Sequence, residues 1–160
     1  MKLLLVLCII FPFTAFAQNW TADEQEVLDQ IKKGWSAWEE AIKAKDLNVY
    51  LDKFKPAEDF KGWWTSLGSI WTLEAWKRTF DKFAQDNFNW ENVQPLSITV
   101  YDEVALAYYY VLYSIEDKSG KTTRMEDKRF EVFRKVNGTW RWTGVMASQK
   151  ELSVIERGKE

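Results

Sequence analysis

Lys128-Arg-Phe-Glu-Val-Phe-Arg-Lys-Val-Asn-Gly-Thr-Trp-Arg-Trp-Thr-Gly-Val-Met-Ala-Ser148 decides the fold. Asn137-Gly138 stands between two runs rich in Val, Phe, Trp and Thr, and such a dipeptide is the strongest short-range signal for a β-hairpin. Both turn positions need positive φ, which Asn and Gly tolerate and β-branched residues do not. A two-residue turn makes Val136 face Thr139. Continued without interruption, the register pairs Lys135 with Trp140, Phe133 with Trp142, Glu131 with Gly144 and Arg129 with Met146. Alternation puts these residues on one face and Phe130, Val132, Arg134, Arg141, Thr143 and Val145 on the other. The first face carries both tryptophans and Met146, so it is assigned to the helix-facing, concave side. Arg129 then either receives an anionic or carbonyl group of a ligand or pairs with Glu131, because a buried charge is costly without a partner.

Upstream, the apolar period is close to 2 back to about residue 89. Leu96, Ile98 and Val100 alternate with Ser97, Thr99 and Tyr101, and Val104 to Ile115 is apolar on both faces, the pattern of a central strand buried on both sides. Asp117 to Gly120 is a turn, and strands are predicted over Thr122–Val136 and Thr139–Ser148. In Tyr108-Tyr109-Tyr110, neighbours point to opposite faces, so either Tyr109 or the Tyr108/Tyr110 pair faces inward. The expected pocket includes the pair. Residues 150–160 are polar and predicted to fray or form a loose helix.

Before residue 89 the period is helical. Thr21 is a hydroxyl N-cap followed by acidic residues. Val27, Leu28, Ile31, Trp35, Trp38 and Ile42 share one face of a helix predicted over Asp23 to Lys45. Asp46-Leu47-Asn48 breaks it before a short helix over Val49–Lys53, and Pro56 ends that segment. Thr72 caps a third helix whose apolar face is Leu73, Trp76, Phe80 and Phe83. Between them, residues 56–72 hold two glycines and three tryptophans. They form either a lid or rim packed by its own side chains or a poorly periodic helix.

Helices followed by long antiparallel strands make an α+β fold, with N-terminal helices packed on a strongly curved antiparallel sheet that forms a cone with an internal pocket. The closing pattern Asn-Gly-x-Trp-Arg-x-x-x-x-x-x-Ser (Asn137 to Ser148) and the order of elements over residues 23–149 resemble the SnoaL-like, or nuclear transport factor 2-like, superfamily. Residues 18–149 are read as that domain. Members resembling this chain, such as ketosteroid isomerase and polyketide cyclases, use an Asp base with Tyr or acid donors that stabilise an enolate. The resemblance implies a histidine where this chain has Met146, and a tyrosine on the inward face of the first helix where it has Trp35 and Trp38. Asp59 is the candidate base, in a loop beside Glu58 and Lys61.

Residues 1–17 read as a secretory signal peptide. Met1-Lys2 is a positive start, Leu3 to Phe13 an apolar run, and Ala15-Phe16-Ala17 a small-x-small cleavage site ahead of Gln18. An apolar run of 11 residues is too short to span a bilayer. Cleavage leaves 143 residues, enough for one core, and exports the chain to a periplasmic or extracellular compartment. It removes Cys8, the one cysteine, and there is no histidine. A mature chain without Cys or His has no Ser-His-Asp triad, no histidine proton shuttle, no thiolate-bound metal and almost no route to a zinc site. Losing Lys2 leaves 21 basic against 24 acidic residues, a net charge of −3 that lacks the footprint of a nucleic-acid binder. All 10 tryptophans lie in the mature part, which favours an aromatic-lined pocket.

The sequence therefore predicts a binding domain without a cofactor. Its pocket would be built from Trp35, Trp38, Tyr108, Tyr110, Arg129, Glu131, Trp142 and Met146 and would take a small apolar or anionic ligand. The convex face with Phe130, Val132 and Val145 is more apolar than a solvated sheet needs, which points to a homodimer. The competing prediction is proton transfer next to a carbonyl.

Overall fold

Helix α1 (Ala22–Ala44) starts at a capping box: Glu24 N donates to Thr21 Oγ1 (3.3 Å), and Thr21 N donates to the Glu24 carboxylate (2.8 Å). It stops where Lys45 turns left-handed, at φ 54°. The break is tighter than the sequence suggests, because Asp46 at once caps α2 (Leu47–Lys53), accepting from Asn48 N at 2.9 Å. Thr72 caps α3 (Leu73–Phe83) as expected, accepting from Ala75 N at 3.2 Å. These elements come from a computed structural model that describes residues 19–65 and 68–155. The expected signal peptide lies outside the described residues.

Six strands make one open sheet in the order β2-β1-β6-β5-β4-β3. β3 (Asn87–Tyr101), β4 (Val104–Glu116), β5 (Thr122–Val136) and β6 (Thr139–Ile155) form an antiparallel meander. β1 (Lys61–Trp64) pairs parallel to β6, and β2 (Ser69–Thr72) pairs antiparallel to β1. The fold is α+β as predicted, but the sheet is mixed rather than purely antiparallel, because β1 joins β6 in parallel, and α3 lies between β2 and β3 in the chain.

Three expectations change. Residues 61–64 and 69–72 are strands rather than a lid or a helix, because the exposed edge of β6 offers unpaired backbone groups that β1 satisfies. The polar tail does not fray through residue 155: β6 runs to Ile155, opposite Thr122. β4 is buried on one face only. Ala105, Ala107, Tyr109, Val111 and Tyr113 are buried, whereas Tyr108 between them is 48 % exposed, since no helix covers the outer face.

The turn that opened the argument has the required geometry, with φ 51° at Asn137 and 75° at Gly138. Val136–Thr139, Lys135–Trp140 and Phe133–Trp142 pair as read. Then the ladder slips. Thr143 is an extra residue in β6, its Oγ1 donates to Val132 O (3.0 Å), and the pairing resumes as Val132–Gly144, Glu131–Val145, Phe130–Met146 and Arg129–Ala147. A one-residue shift reverses every side chain beyond it. Met146, expected inside, is therefore outside and 56 % exposed. Val145, expected on the convex face, is inside at 7 %.

Candidate functional site

Between the helices and the sheet lies a cavity of about 250 Å³. Its walls are aromatic for reasons visible in each element. The α1 residues Trp35 and Trp38 lie one helical turn apart on the sheet side. Trp38 stacks on Trp76 of α3 (centroids 5.0 Å apart), and Trp35 stacks near Tyr113 of β4 (5.9 Å) and Phe88 of β3 (6.0 Å). Trp64 closes another side: its ring lies over Gly62, where any Cβ would come within 2.2 Å of it. Trp142 of β6 packs on Phe60, with centroids 4.3 Å apart.

One strip of this wall is charged. Alternate residues of β5 put Asp127, Arg129 and Glu131 into the cavity, 1 %, 8 % and 4 % exposed. Arg129 Nε donates to Glu131 Oε1 (2.9 Å), and Nη1 donates to Asp127 Oδ2 (3.4 Å). The guanidinium sits 4.9 Å from the Trp35 ring, 5.8 Å from Trp142 and 5.9 Å from Trp64, a desolvated cation among indole faces. Tyrosines complete the network. Tyr113 OH donates to Asp127 Oδ1 (2.9 Å) and accepts from Gln149 Nε2 (2.8 Å); Tyr109 OH accepts from Trp35 Nε1 (3.2 Å) and bonds Glu131.

With both carboxyls ionised, two negative charges face one guanidinium, so the strip carries no spare positive charge. Burial pushes the carboxyls of both Asp127 and Glu131 above the usual range, although Arg129 pulls each down. Burial works against the charge on Arg129, but its anionic surroundings outweigh that and hold it protonated. Burial also raises Tyr109 and Tyr113, so both hydroxyls stay neutral donors. Among the described residues one polar group in the wall is unsatisfied: Trp142 Nε1 is buried and meets no acceptor there. An unpaired buried donor costs roughly 1–3 kcal/mol. Among the described residues no cluster of three or more His, Cys, Asp or Glu could hold a metal, and no helix is long and apolar enough to cross a membrane.

No protein-family model and no curated protein sequence matches the chain. Solved structures do. A conserved protein from Planctomyces limnophilus superposes with a TM-score of 0.68 at 14% identity, over 82% of this chain and 98% of that one. A nuclear transport factor 2-like superfamily protein from Salmonella enterica gives 0.59 at 14% identity, over 86% and 96%. The association domain of the C. elegans calcium/calmodulin-dependent kinase II gives 0.55 at 17% identity, over 80% and 99%. The chain has the nuclear transport factor 2-like fold.

Within this nuclear transport factor 2-like cone, Trp35, Trp38, Arg129, Glu131 and Trp142 line the cavity as the sequence placed them. Tyr108, Tyr110 and Met146 do not. Tyr108 lies outside against Phe130 (centroids 4.6 Å), and Tyr110 sits outside beneath Lys128 Nζ (5.5 Å). The inward member of the triplet is Tyr109, 2 % exposed. Asp59 is on the surface, in an exposed ion pair with Arg134 at 3.3 Å, away from the cavity. The sequence reading missed Asp127, Tyr113, Trp64 and Trp76. Asp127 was within reach, because it precedes Arg129 by two residues on the strand face already chosen. Trp64 and Trp76 arrive on separate elements, and no sequence period links them to β5.

Proposed function

We propose that this chain is an exported domain that binds a small, mainly apolar ligand in the cone and carries out no chemistry on it. The observation that supports it best is the aromatic cavity with a fully committed ion network in its wall. Tryptophan faces supply apolar contact area, and a few fixed polar groups orient whatever enters. Of the two expected ligand types, the apolar one fits better than the anionic one, because Asp127 and Glu131 already neutralise Arg129. Calorimetric titration with a diverse small-molecule library tests the reading. We expect saturable binding by apolar compounds, and silence across the library would remove its basis. Export rests on the residues ahead of Gln18 alone, and the mass of secreted protein tests it: the expected product begins at Gln18.

Proton transfer next to a carbonyl is the second reading. One observation favours it: two inward carboxyls with raised pKa values, each bonded to a tyrosine hydroxyl. Against it, both carboxyls are also bonded to Arg129, so neither is a free base. Loss of a measured isomerase activity in Asp127→Asn or Glu131→Gln, with Asp59→Asn unaffected, would favour this reading over binding.

Self-association through the outer sheet face is part of the proposal. Tyr108, Met146 and Leu96 are 48 %, 56 % and 54 % exposed, and Phe130 is half-buried beside them. That one structural neighbour is an association domain is consistent with this. Light scattering of wild type and Met146→Asp tests it, with a dimer expected only for wild type.

A further inference from the structure

We infer that the outer face of the sheet carries a second binding site, separate from the cone, for an amphiphile with a single negative charge. The apolar body lies across Leu96, Tyr108, Phe130 and Met146, and the anionic head, a carboxylate or sulfonate, meets the ammonium of Lys128. This goes beyond the reading of the cone and does not depend on it.

An open groove of about 290 Å³ crosses the outer face from β3 to β6. Its floor is a row of apolar side chains on neighbouring strands. Tyr108 pairs with Phe130, Phe130 with Met146, and Leu96 sits in the β3 bulge beside Ser97, which stands opposite Tyr108. Three strand spacings make the row roughly 14 Å long. Met146, Leu96 and Tyr108 are 56 %, 54 % and 48 % exposed, so apolar area is on offer along its whole length. A second row runs beside the first, two residues along each strand: Tyr110, Lys128 and Ser148, paired in that order. Lys128 is exposed and lines the groove, with Nζ 5.5 Å from the centre of the Tyr110 ring. Both its cross-strand neighbours carry hydroxyls, and among the described residues no carboxylate lies within ion-pair distance of it. Asp127 points the other way, and Glu126, two residues back on the outer face, stands opposite Lys150 and so faces a cation of its own. The groove therefore joins an apolar floor to one uncommitted positive charge about 7 Å away, flanked by two hydroxyls that can donate to the same head. A cationic head would be repelled there, and a second negative charge would find no partner. Leu96, Tyr108 and Met146 also belong to the proposed self-association face, so ligand and second copy exclude one another and the site is one of the monomer.

Decanoate and decylammonium share a body and differ in the sign of the head, and butyrate has the head with almost no body. All three are titrated into the full mature chain, at a concentration where light scattering gives a monomer, and followed by the methyl resonance of Met146, which reports on the groove and not on the cone. Decanoate should shift that resonance and bind about fivefold more tightly than decylammonium, the factor that one exposed ion pair supplies. Added salt should narrow the gap, and butyrate should leave the resonance in place. Lys128→Glu, a change at an exposed position, should reverse the order of the two long probes. Equal binding of the two heads, tighter binding of decylammonium, an order that survives Lys128→Glu, or butyrate binding as tightly as decanoate overturns the inference. Shifts confined to cone residues such as Trp35 and Trp142 overturn it as well, while supporting the reading of the cone. A dimer that persists at every concentration and buries Met146 also overturns it, because the groove is then covered.

Discussion

The two faces of β5 obey one alternation and meet opposite conditions. Asp127, Arg129, Glu131 and Phe133 point towards the helices and are buried; Lys128, Phe130, Val132 and Arg134 point outward and keep contact with solvent. Charge and apolarity are almost exchanged from what a simple two-sided strand would show. The inward face carries three charged groups that hold one another, and the outward face carries Phe130 against Tyr108. Burial of charge is tolerable here because every member of the strip has a partner, and a partly exposed aromatic pair is tolerable outside because it loses nothing to desolvation. The inner face is therefore where a substitution should hurt stability, and the outer face is where it should alter association.

The sharpest way to break this contrast is Arg129→Met. It leaves two buried carboxyls without a counter-ion, and stability should fall by about 3–5 kcal/mol in urea denaturation. A loss under 1 kcal/mol would mean that the strip is wetter than its burial indicates. Phe60→Ala, which removes a 1 % exposed ring packed on Trp142, should cost a similar 3–5 kcal/mol. Tyr109→Phe deletes one hydroxyl shared by Trp35 and Glu131, and about 1–2 kcal/mol should be lost in the same assay.

Acidity probes the same strip. Because Asp127 and Glu131 have folded-state pKa values above their unfolded ones, the folded protein binds those protons more tightly. The resulting stabilisation is complete below the ordinary carboxyl range and fades as pH rises through the raised values. Stability attributable to this pair should thus increase as pH falls through the raised carboxyl values, and Glu131→Gln should flatten the trend. A trend of opposite sign would mean that the ion pairs with Arg129 outweigh burial. On the outer face, Asp59→Asn should change the unfolding free energy by less than about 0.5 kcal/mol, since exposed ion pairs contribute little, and Met146→Asp should do the same at a protein concentration where both chains are monomers.

Much of this was readable from the chain because local chemistry acts at short range. Thr21 and Thr72 cap helices, Asn137-Gly138 turns a hairpin, and the first four pairs of that hairpin follow from the turn. Arg129 and Glu131 were brought together by period alone, and Asp127 would have followed from the same rule. The choice between Tyr109 and its two neighbours was not readable, because Tyr108-Tyr109-Tyr110 is chemically identical at each position and only the covering helices distinguish the faces.

The sequence by itself determined the α+β order, the helix starts and the turn, all consequences of contacts within a few residues, and an aromatic-rich composition without histidine. The tertiary structure alone decided the rest. The bulge at Thr143 turned Met146 out and Val145 in, since one unpaired residue reverses a strand's faces and no composition rule marks where it falls. Joining β1 to β6 brought Trp64 to within 5.9 Å of Arg129, a meeting of residues 65 positions apart that only the backbone ladder between those strands could arrange.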